Sequence, residues 1–304
     1  MPAFTIIIPC YNAAETLAET IASVRAQSVT DWEAVIVDDA STDGSLRLLR
    51  ELTAYDPRFW IISQPNAGPS VARNRAAALA RGRVLAFLDA DDLWHPEKLA
   101  RTARAFQEAP EADAVFARIG FFTDPARPDA TISTVRPGAQ TSADVIGENP
   151  ACTLSNLSVR REAFLATGGF DADLRYAEDL EWMNRAVARG LQLWAVNSVD
   201  VRYRMRAEGL SADLAAMHAG WRQAVAPYAS AVELARAEAR HLRYLARRAL
   251  RTGQAPALAR SLALQGLRRA PSAFLGDRHR GPATLAGCLA APLLPASIRR
   301  RAFA

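Results

Sequence analysis

Short apolar runs alternate with amphipathic segments along the first ninety residues of the chain. The apolar runs are rich in β-branched residues, which is typical of buried strands. These predicted strands are Phe4–Pro9, Trp32–Val37, Phe59–Ile62 and Arg83–Leu88. Helical spacing predicts the intervening helices at Ala13–Gln27, from the turn Ser41–Gly44 to Leu52, and at Gly68–Ala80. Because such alternation builds right-handed βαβ units, the pattern predicts an α/β fold with a mostly parallel sheet flanked by helices.

The pattern changes after Asp89. Helices are predicted at Pro96–Gln107, Arg161–Thr167 and Leu180–Arg189. Strands are predicted at 114–117, 120–122, 154–159, 191–196 and 199–204. Residues 124–150 contain four prolines and are predicted to form an irregular loop. From about Ser211 the pattern is helical and rich in Ala and Arg, so we expect one domain over 1–210 and a helical C-terminal region over 211–304.

Composition excludes several classes of protein. Half of the 304 residues are hydrophobic and the net charge is only +5, which excludes a disordered chain. Three scattered cysteines cannot form a disulfide framework, which favours a reducing, cytoplasmic location. We expect no signal peptide and no membrane-spanning helix, because no basic leader and no run of about 18 apolar residues is present. Basic residues are spread along the chain without a nucleic-acid-binding motif, so we expect no nucleic-acid partner.

Acidic residues follow two of the predicted strands. The strand at 32–37 is followed by Asp38 and Asp39, and the strand at 83–88 by Asp89, Asp91 and Asp92. Loops after parallel strands meet at one edge of the sheet, where α/β folds bind ligands. Five carboxylates at one edge repel one another, which favours either a bound cation or a hydrogen-bonding ligand. The Asp-x-Asp spacing suits Mg²⁺ or Mn²⁺, although such a turn can also cap the helix that follows.

Three long segments in order resemble family 2 glycosyltransferases, which have the GT-A fold. These segments are IIIPCYNAAETLAETIASVRAQSVTDWEAVIVDDASTDGS, NAGPSVARNRAAALARGRVLAFLDADDLWHPEKL and GGFDADLRYAEDLEWMNRAVARG. The resemblance covers residues 4–205. It implies a catalytic domain over 1–210, with a nucleotide-sugar-binding half at 1–95 and an acceptor half at 96–210.

The resemblance also implies roles for single residues in the first half. Pro9 and Tyr11 would line the pocket of the base. Asp38 or Asp39 would accept a hydrogen bond from the imide N–H of the base. The alternative is that one of them caps the following helix, and the pair could divide the two roles. Arg73 would lie near the base and phosphates; the alternative is a surface helix charge.

The metal site is the next implication of the resemblance. Asp91 would be the direct ligand of a divalent metal, Mn²⁺ or Mg²⁺. Asp89 would contact the sugar, the ribose or the metal's water shell, and Asp92 could do either. The metal would neutralise charge on the leaving diphosphate.

An acidic pair, Glu178-Asp179, supplies the general base in the resembled family. Asp179 would take the proton of the acceptor hydroxyl, and Glu178 would orient it or contact the acceptor. The alternative is that both acids only favour the dipole of the helix at 180–189. The turn Gly168-Gly169-Phe170-Asp171 would form a wall of the acceptor site.

The expected activity is the inverting transfer of one sugar. The donor would be a nucleoside diphosphate sugar, with uracil as the expected base, and the acceptor a hydroxyl of a glycan or lipid-linked glycan. The expected pathway is bacterial surface polysaccharide or lipopolysaccharide synthesis. Two alternatives stay open: a sugar nucleotidyltransferase, and a non-catalytic module that binds nucleotides or glycans.

The last third of the chain carries no chemical motif. Its arginines recur on one side of a predicted helix at 229–270, and an apolar segment at 283–298 is interrupted by two prolines. Such a region could lie on an anionic membrane surface as a peripheral contact. The alternative, which we favour, is a helical subdomain that packs on the catalytic core with its arginines solvated.

Overall fold

The chain forms two compact units in the computed structural model, which describes residues 1–147, 149–205, 213–295, 299 and 303. The first unit comprises Met1–Thr141 and Pro150–Arg206, and the second comprises Ser142–Asn149 and Ala207–Ala304. The predicted boundary at 210 falls outside the described residues and stays a prediction.

The described strands all belong to the first unit. They are β1 (Phe4–Cys10), β2 (Trp32–Asp38), β3 (Phe59–Ser63), β4 (Val84–Phe87), β5 (Leu93–Trp94), β6 (Ala114–Phe122), β7 (Thr131–Ile132), β8 (Gly138–Ala139), β9 (Ser158–Arg160) and β10 (Leu193–Arg204). The described α-helices belong to both units. They are α1 (Leu17–Arg25), α2 (Ser45–Thr53), α3 (Pro69–Leu79), α4 (Lys98–Glu108), α5 (Ser142–Gly147), α6 (Arg161–Thr167), α7 (Glu178–Ala188), α8 (Leu214–Val225), α9 (Ala231–Thr252), α10 (Pro256–Arg269), α11 (Pro271–Leu275) and α12 (Arg280–Ala290).

One sheet runs through the first unit in the order β3-β2-β1-β4-β9-β6-β10-β5. β1, β2, β3 and β4 pair in parallel, as do β6 and β10, which confirms the predicted mostly parallel sheet. β9 is antiparallel to both of its neighbours. Register pairs Cys10 with Asp38 and Ile7 with Phe87. The chain therefore leaves β1, β2 and β4 at one edge of the sheet.

The central strands are buried on both faces, as the apolar runs predict. Ile6 and Ile8 pack on the face that also buries Leu17 and Ile21 of α1. Burying each such side chain contributes about 1.5–3 kcal/mol. Packing on this scale holds the strand ends, and the polar residues that follow them, in place.

Several predicted elements differ from the structure. The predicted strands at 114–117 and 120–122 are one strand, β6, and those at 191–196 and 199–204 are one strand, β10, with shifts of register after Ala195. The predicted loop at 124–150 contains β7, β8 and α5. The strand predicted at 154–159 begins as a short 3₁₀ helix, Leu154–Asn156. At this point the side chain of Asn156 pairs with the backbone of Ala117 on β6.

The described part of the second unit is helical, as predicted. α9 begins with a capping box between Ser230 and Glu233 and ends at Gly253, whose φ of 75° suits glycine. Its core includes Leu245 and Phe274. Among the described residues, no helix is long and apolar enough to cross a membrane. Peripheral contact of this region with a membrane stays a prediction.

Candidate functional site

The loops after β1 and β2 are tied to each other at the edge of the sheet. Asn12 and Ala40 adopt left-handed backbone conformations, with φ of 48° and 60°. The Asn12 side-chain oxygen accepts from the Thr42 amide at 2.8 Å, and the Ser41 hydroxyl accepts from the Asn12 amide at 3.1 Å. Tyr11 projects from this junction with 53% of its surface exposed, while Pro9 is half-buried. The predicted base pocket therefore has an available aromatic ring at a rigid junction.

Asp38 and Asp39 are both buried but differ in their contacts. Asp39 accepts hydrogen bonds from the Gln64 side chain and from the amides of Ala67 and Gly68, at 2.8–2.9 Å. It thereby fixes the turn that starts α3. Within the described residues, Oδ1 of Asp38 has no hydrogen-bond partner. The charge of Asp38 adds to burial in raising the pKa of the Cys10 thiol to about 12.

The alternative that one of this pair caps the next helix is wrong for α2. The first amide of α2, on Ser45, donates to Asp43 instead. The aspartate with the free oxygen is Asp38, so the geometry favours Asp38 over Asp39 as an acceptor for a ligand.

Arg73 lies between the two predicted acidic sites and is only 5% exposed. Its Nη2 donates to Asp89 at 2.5 Å and its Nη1 donates to Glu178 at 3.1 Å. These neighbours, with Asp179, outweigh the desolvation of the buried guanidinium and raise the pKa of Arg73. Arg73 is thus a buried bridge between residues 89 and 178, and the interpretation as a surface helix charge is wrong.

Arg75 provides a contrast two residues along α3. It donates to the Ser63 carbonyl at 3.3 Å and to the Gln64 side chain at 3.4 Å, and contacts neither acidic site.

Asp91 and Asp92 are adjacent in sequence but differ in burial. The Asp92 carboxyl is 1% exposed, and its oxygens accept from the Ser155 hydroxyl at 2.6 Å and the Arg204 amide at 2.9 Å. Burial, followed by the charges of Asp91 and Asp89, raises the pKa of Asp92 well above its usual range. Asp91 is half-buried, and its carbonyl accepts from Arg204 Nε at 2.8 Å. Of the two, Asp91 is the more accessible to a ligand.

A fit to a divalent metal can be tested on this loop. The described residues contain no group of three or more His, Cys, Asp or Glu side chains that could hold a metal by themselves. Mg²⁺, however, commonly uses one or two carboxylates and completes its shell with water and substrate phosphates. The half-buried carboxylate of Asp91 fits that mode. Asp92 does not, because it is enclosed and already has protein donors on both oxygens.

Glu178 and Asp179 open α7, and the preceding residue, Ala177, has a left-handed φ of 61°. Asp179 accepts from the Leu180 amide at 2.7 Å, as an acid at a helix N-terminus would. Both acids also act on Arg73, Glu178 through a hydrogen bond and Asp179 through its charge. Glu178 and Asp179 therefore interact both with the start of α7 and with Arg73, which also contacts Asp89.

The predicted acceptor wall is held by Asn74 of α3. Its side chain donates to the Phe170 carbonyl at 2.7 Å and accepts from the Phe170 amide at 2.8 Å. Gly169 has a φ of 76°, and a Cβ there would collide with Asn74. The same helix thus positions both Arg73 and the Gly-Gly turn.

Three site-supporting residues were missed by sequence reasoning. Thr153 donates to Asp89 Oδ2 at 3.3 Å, the Ser155 hydroxyl accepts from the Asp89 amide at 3.0 Å, and Asn74 holds Phe170. Each lies far along the chain from its partner and has an ordinary residue type. The one signal was the presence of three polar residues, Thr153, Ser155 and Asn156, around the start of a predicted buried strand.

A separate cavity of about 960 Å³ lies in the first unit at the edge formed by β5 and β10. Its walls include Trp94, Arg101 and Arg202, but none of Arg73, Asp89 or Glu178. The ion pairs of Arg101 with Asp200 and of Arg202 with Asp129, both at 2.7 Å, neutralise its arginines. Chemistry, rather than cavity size, therefore locates the candidate site.

Parts of this chain are similar in sequence to known proteins. The profile of the family described as Glycosyl transferase family 2 matches residues 5–166, more than half of the chain. Over 108 residues the chain is 41% identical to the putative teichuronic acid biosynthesis glycosyltransferase TuaG of Bacillus subtilis. That alignment covers 35% of this chain and 43% of TuaG, so the match spans less than half of that relative.

Two solved structures resemble the fold of the chain. TarS 1–349 of S. aureus in complex with UDP-GlcNAc has a TM-score of 0.60 at 17% identity, over 95% of this chain and 92% of that chain. The mannosyltransferase PcManGT from Pyrobaculum calidifontis, in complex with GDP-Man and Mn²⁺, has a TM-score of 0.56 at 23% identity, over 98% and 78%. These similarities confirm the predicted GT-A fold with a helical C-terminal region.

Proposed function

Because this chain belongs to glycosyl transferase family 2, we propose that it is an inverting glycosyltransferase. It transfers one sugar from a nucleoside diphosphate sugar to a hydroxyl of a glycan or lipid-linked glycan. The sequence relationship to TuaG favours a role in bacterial surface polysaccharide synthesis.

One observation carries this proposal: Arg73 contacts Asp89 and Glu178 simultaneously. Asp89 follows a strand of the donor half, whereas Glu178 opens a helix of the acceptor half. The bridge brings the two acidic motifs, separated by almost ninety residues, to the two terminal nitrogens of one guanidinium. A transferase needs this juxtaposition, because donor and acceptor must react within one site.

The donor is assigned to the UDP type. The TarS structure, with a TM-score of 0.60, contains UDP-GlcNAc, while the PcManGT structure, with a TM-score of 0.56, contains GDP-Man. In this chain, the exposed ring of Tyr11 and the unpartnered oxygen of Asp38 offer a stacking surface and an acceptor for an imide N–H.

The reaction is a single displacement. Asp179 accepts the proton of the acceptor hydroxyl, whose oxygen attacks the anomeric carbon. The bond from that carbon to the diphosphate oxygen breaks, and the diphosphate leaves with the electron pair. One in-line attack inverts the configuration of the anomeric carbon. Glu178, held by Arg73, fixes the start of α7 and hence the position of Asp179.

Asp91 would hold a divalent metal together with the donor phosphates, with Asp89 beside it. When bound, such a metal supplies positive charge that stabilises the leaving diphosphate. We assign Asp92 to holding the loop instead of to the metal, because its carboxyl is enclosed.

Calorimetric titration tests the donor site. UDP, GDP and dTDP are titrated separately into the protein, each with Mn²⁺ and again with EDTA. We expect micromolar binding of UDP with Mn²⁺, weaker binding in EDTA, and loss of the enhancement by Mn²⁺ in Asp91→Asn. Asp31→Asn is the matched control, because Asp31 is an exposed aspartate at the opposite end of β2. A folded protein that binds none of the three nucleotides would contradict the proposal, as would unchanged binding by Asp91→Asn.

Hydrolysis or transfer of a UDP-sugar distinguishes an enzyme from a binding module. We expect turnover in the wild type and its loss in Asp91→Asn. Metal-dependent binding without any turnover, across a panel of UDP-sugars and glycan acceptors, would favour the non-catalytic alternative.

A further inference from the structure

Ser155 is a buried side chain that touches the acidic loop at two points. Ser155 is 0% exposed to solvent. The hydroxyl accepts from the Asp89 amide at 3.0 Å and donates to Asp92 Oδ2 at 2.6 Å. These two residues flank Asp91 on either side. One hydroxyl therefore spans the loop that carries the proposed metal ligand.

The turn around Ser155 is itself fixed from several directions. Thr153 caps it and also donates to Asp89 Oδ2 at 3.3 Å. The Ser155 carbonyl accepts from the Trp94 indole at 2.8 Å, and the Asn156 side chain is paired with the Ala117 backbone. The turn cannot shift without breaking buried hydrogen bonds and leaving buried polar groups unpaired, which is unfavourable.

Lys98, the only lysine of the chain, supports the same turn. Its buried ammonium donates to the Asn156 carbonyl at 3.3 Å and lies 5.3 Å from the Trp94 ring centroid. The buried ammonium of Lys98 thus holds the backbone carbonyl of Asn156, the residue after Ser155.

The opposite side of the loop is held by Arg204. Its amide donates to Asp92 Oδ1 at 2.9 Å, and its Nε donates to the Asp91 carbonyl at 2.8 Å. Asp92 is therefore clamped between Ser155 and Arg204, and the Asp91 backbone has little freedom to rotate.

We propose that Ser155 is a positioning residue that sets the conformation of the Asp89–Asp92 loop for metal-dependent binding of the donor diphosphate. This inference rests on the proposed function. Ser155 touches neither metal nor donor; it acts through Asp89 and Asp92. Removal of the hydroxyl leaves the Asp89 amide and an Asp92 oxygen without this partner and frees the loop between them.

The test compares Ser155→Ala with Ser158→Ala. Ser158 is also 0% exposed and lies three residues further on, but its hydroxyl contacts Lys98 at 3.5 Å and none of the four loop residues. The dissociation constant of UDP is measured for each folded variant with Mn²⁺ and with EDTA. The readout is the ratio of the two constants, which loss of general stability would not change selectively.

We expect Ser155→Ala to reduce the enhancement by Mn²⁺ about 10–100-fold, the range typical of residues that support metal ligands. The constant in EDTA should change less than about threefold, and Ser158→Ala should resemble the wild type in both conditions. Thr153→Val is the second variant, used if Ser155→Ala does not fold. It removes the hydroxyl that contacts Asp89 with little change in volume, and should lower the same ratio.

The possible outcomes separate the two proposals. If the wild type shows metal-dependent binding and the variants retain its full enhancement, the role of Ser155 is overturned while the proposed function stands. An equal loss of enhancement in Ser158→Ala would also overturn it, since the effect would then be general. If the folded wild type shows no metal-dependent binding, both proposals fail.

Discussion

In the described part of each unit, a buried charged side chain pairs with two residues of opposite charge. In the first unit the central charge is Arg73, bound by Asp89 and Glu178. In the second it is Glu238, which pairs with Arg222 at 2.9 Å and Arg269 at 2.5 Å. His218 lies 3.3 Å from Glu238, but burial lowers the pKa of its imidazole, so we do not count it as a charge. The two clusters have similar burial and opposite polarity.

The surroundings of the two clusters differ more than their centres. Around Glu238 the arginines are nearly half exposed, so water screens their excess charge, and they lower the pKa of Glu238 despite its burial. Around Arg73 the acids outnumber the cations. Besides Asp89 and Glu178 the cluster includes Asp91, Asp92 and Asp179, and the pKa of Asp92 is raised. The excess positive charge of the Glu238 cluster is screened by water and the cluster stabilises its unit, whereas the Arg73 cluster has surplus negative charge that suits a cationic ligand.

A substitution at Asp179 should have the largest effect among those that test the difference between the Arg73 and Glu238 clusters. Asp179→Asn removes the proposed base but keeps an acceptor for the Leu180 amide. Turnover should fall about 10²–10⁴-fold, the usual contribution of a positioned general base. Binding of UDP with Mn²⁺ should be nearly unchanged. Initial rates of sugar transfer and calorimetry provide the two measurements.

Glu162→Gln is the matched control for Asp179→Asn. Glu162 also lies in the first turn of a helix, α6, and makes no contact with Arg73. Its turnover should stay within about twofold of the wild type, since an exposed helix-end charge has only a small effect on stability. If Asp179→Asn retained full turnover, the base assignment would be wrong.

A smaller effect, confined to stability, is expected at Glu238. Glu238→Gln leaves Arg222 and Arg269 without their carboxylate and should cost about 1–3 kcal/mol. Because a domain of about 100 residues loses about 4–8 °C of Tm per kcal/mol, calorimetric unfolding should detect it. The affinity for UDP should not change.

The stabilisation by Glu238 should decrease at acidic pH. The folded pKa of Glu238 is lowered, so its stabilisation is present above the unfolded pKa of about 4.3 and is lost as the pH falls through the folded pKa. The difference in Tm between wild type and Glu238→Gln should therefore shrink below about pH 4. Arg268→Gln, next to Arg269 but without a carboxylate partner in the described residues, should match the wild type throughout.

The smallest effect is expected from His241, which stacks on Trp221 with 4.7 Å between ring centroids. Burial, aided by the neighbouring His218, lowers the pKa of His241 to about 3. Its stabilisation is therefore complete above the unfolded pKa of about 6.5 and is lost as the pH falls toward the folded pKa. Between pH 7 and 5.5 the wild type should lose at most about 1.4 kcal/mol per pH unit from this residue.

His241→Phe keeps the aromatic stack and removes the titration. Its Tm should fall less than that of the wild type between pH 7 and 5.5. His279→Phe, at an exposed position, should retain the wild-type pH dependence. Identical pH profiles for His241→Phe and the wild type would rule out this contribution from His241.

Much of the first half was predictable from sequence because its signals are local. The strand Phe4–Pro9 and the helix at 68–80 follow from runs of apolar residues and from spacing, and both match β1 and α3 closely. The position of the acidic residues at one edge follows from parallel topology. The contacts of Asp92 did not follow, because sequence neighbours such as Asp91 and Asp92 are chemically equivalent until packing separates them.

The sequence by itself determined the alternation of strands and helices, the family to which the chain belongs, and the acids that meet at the edge of the sheet. These properties reside in residue order and spacing. Only the tertiary structure decided which acids are enclosed, that Arg73 joins Asp89 to Glu178, and that Ser155 spans the loop around Asp91. Such contacts join residues far apart in the chain, and their geometry depends on how the packed sheet and helices orient each side chain.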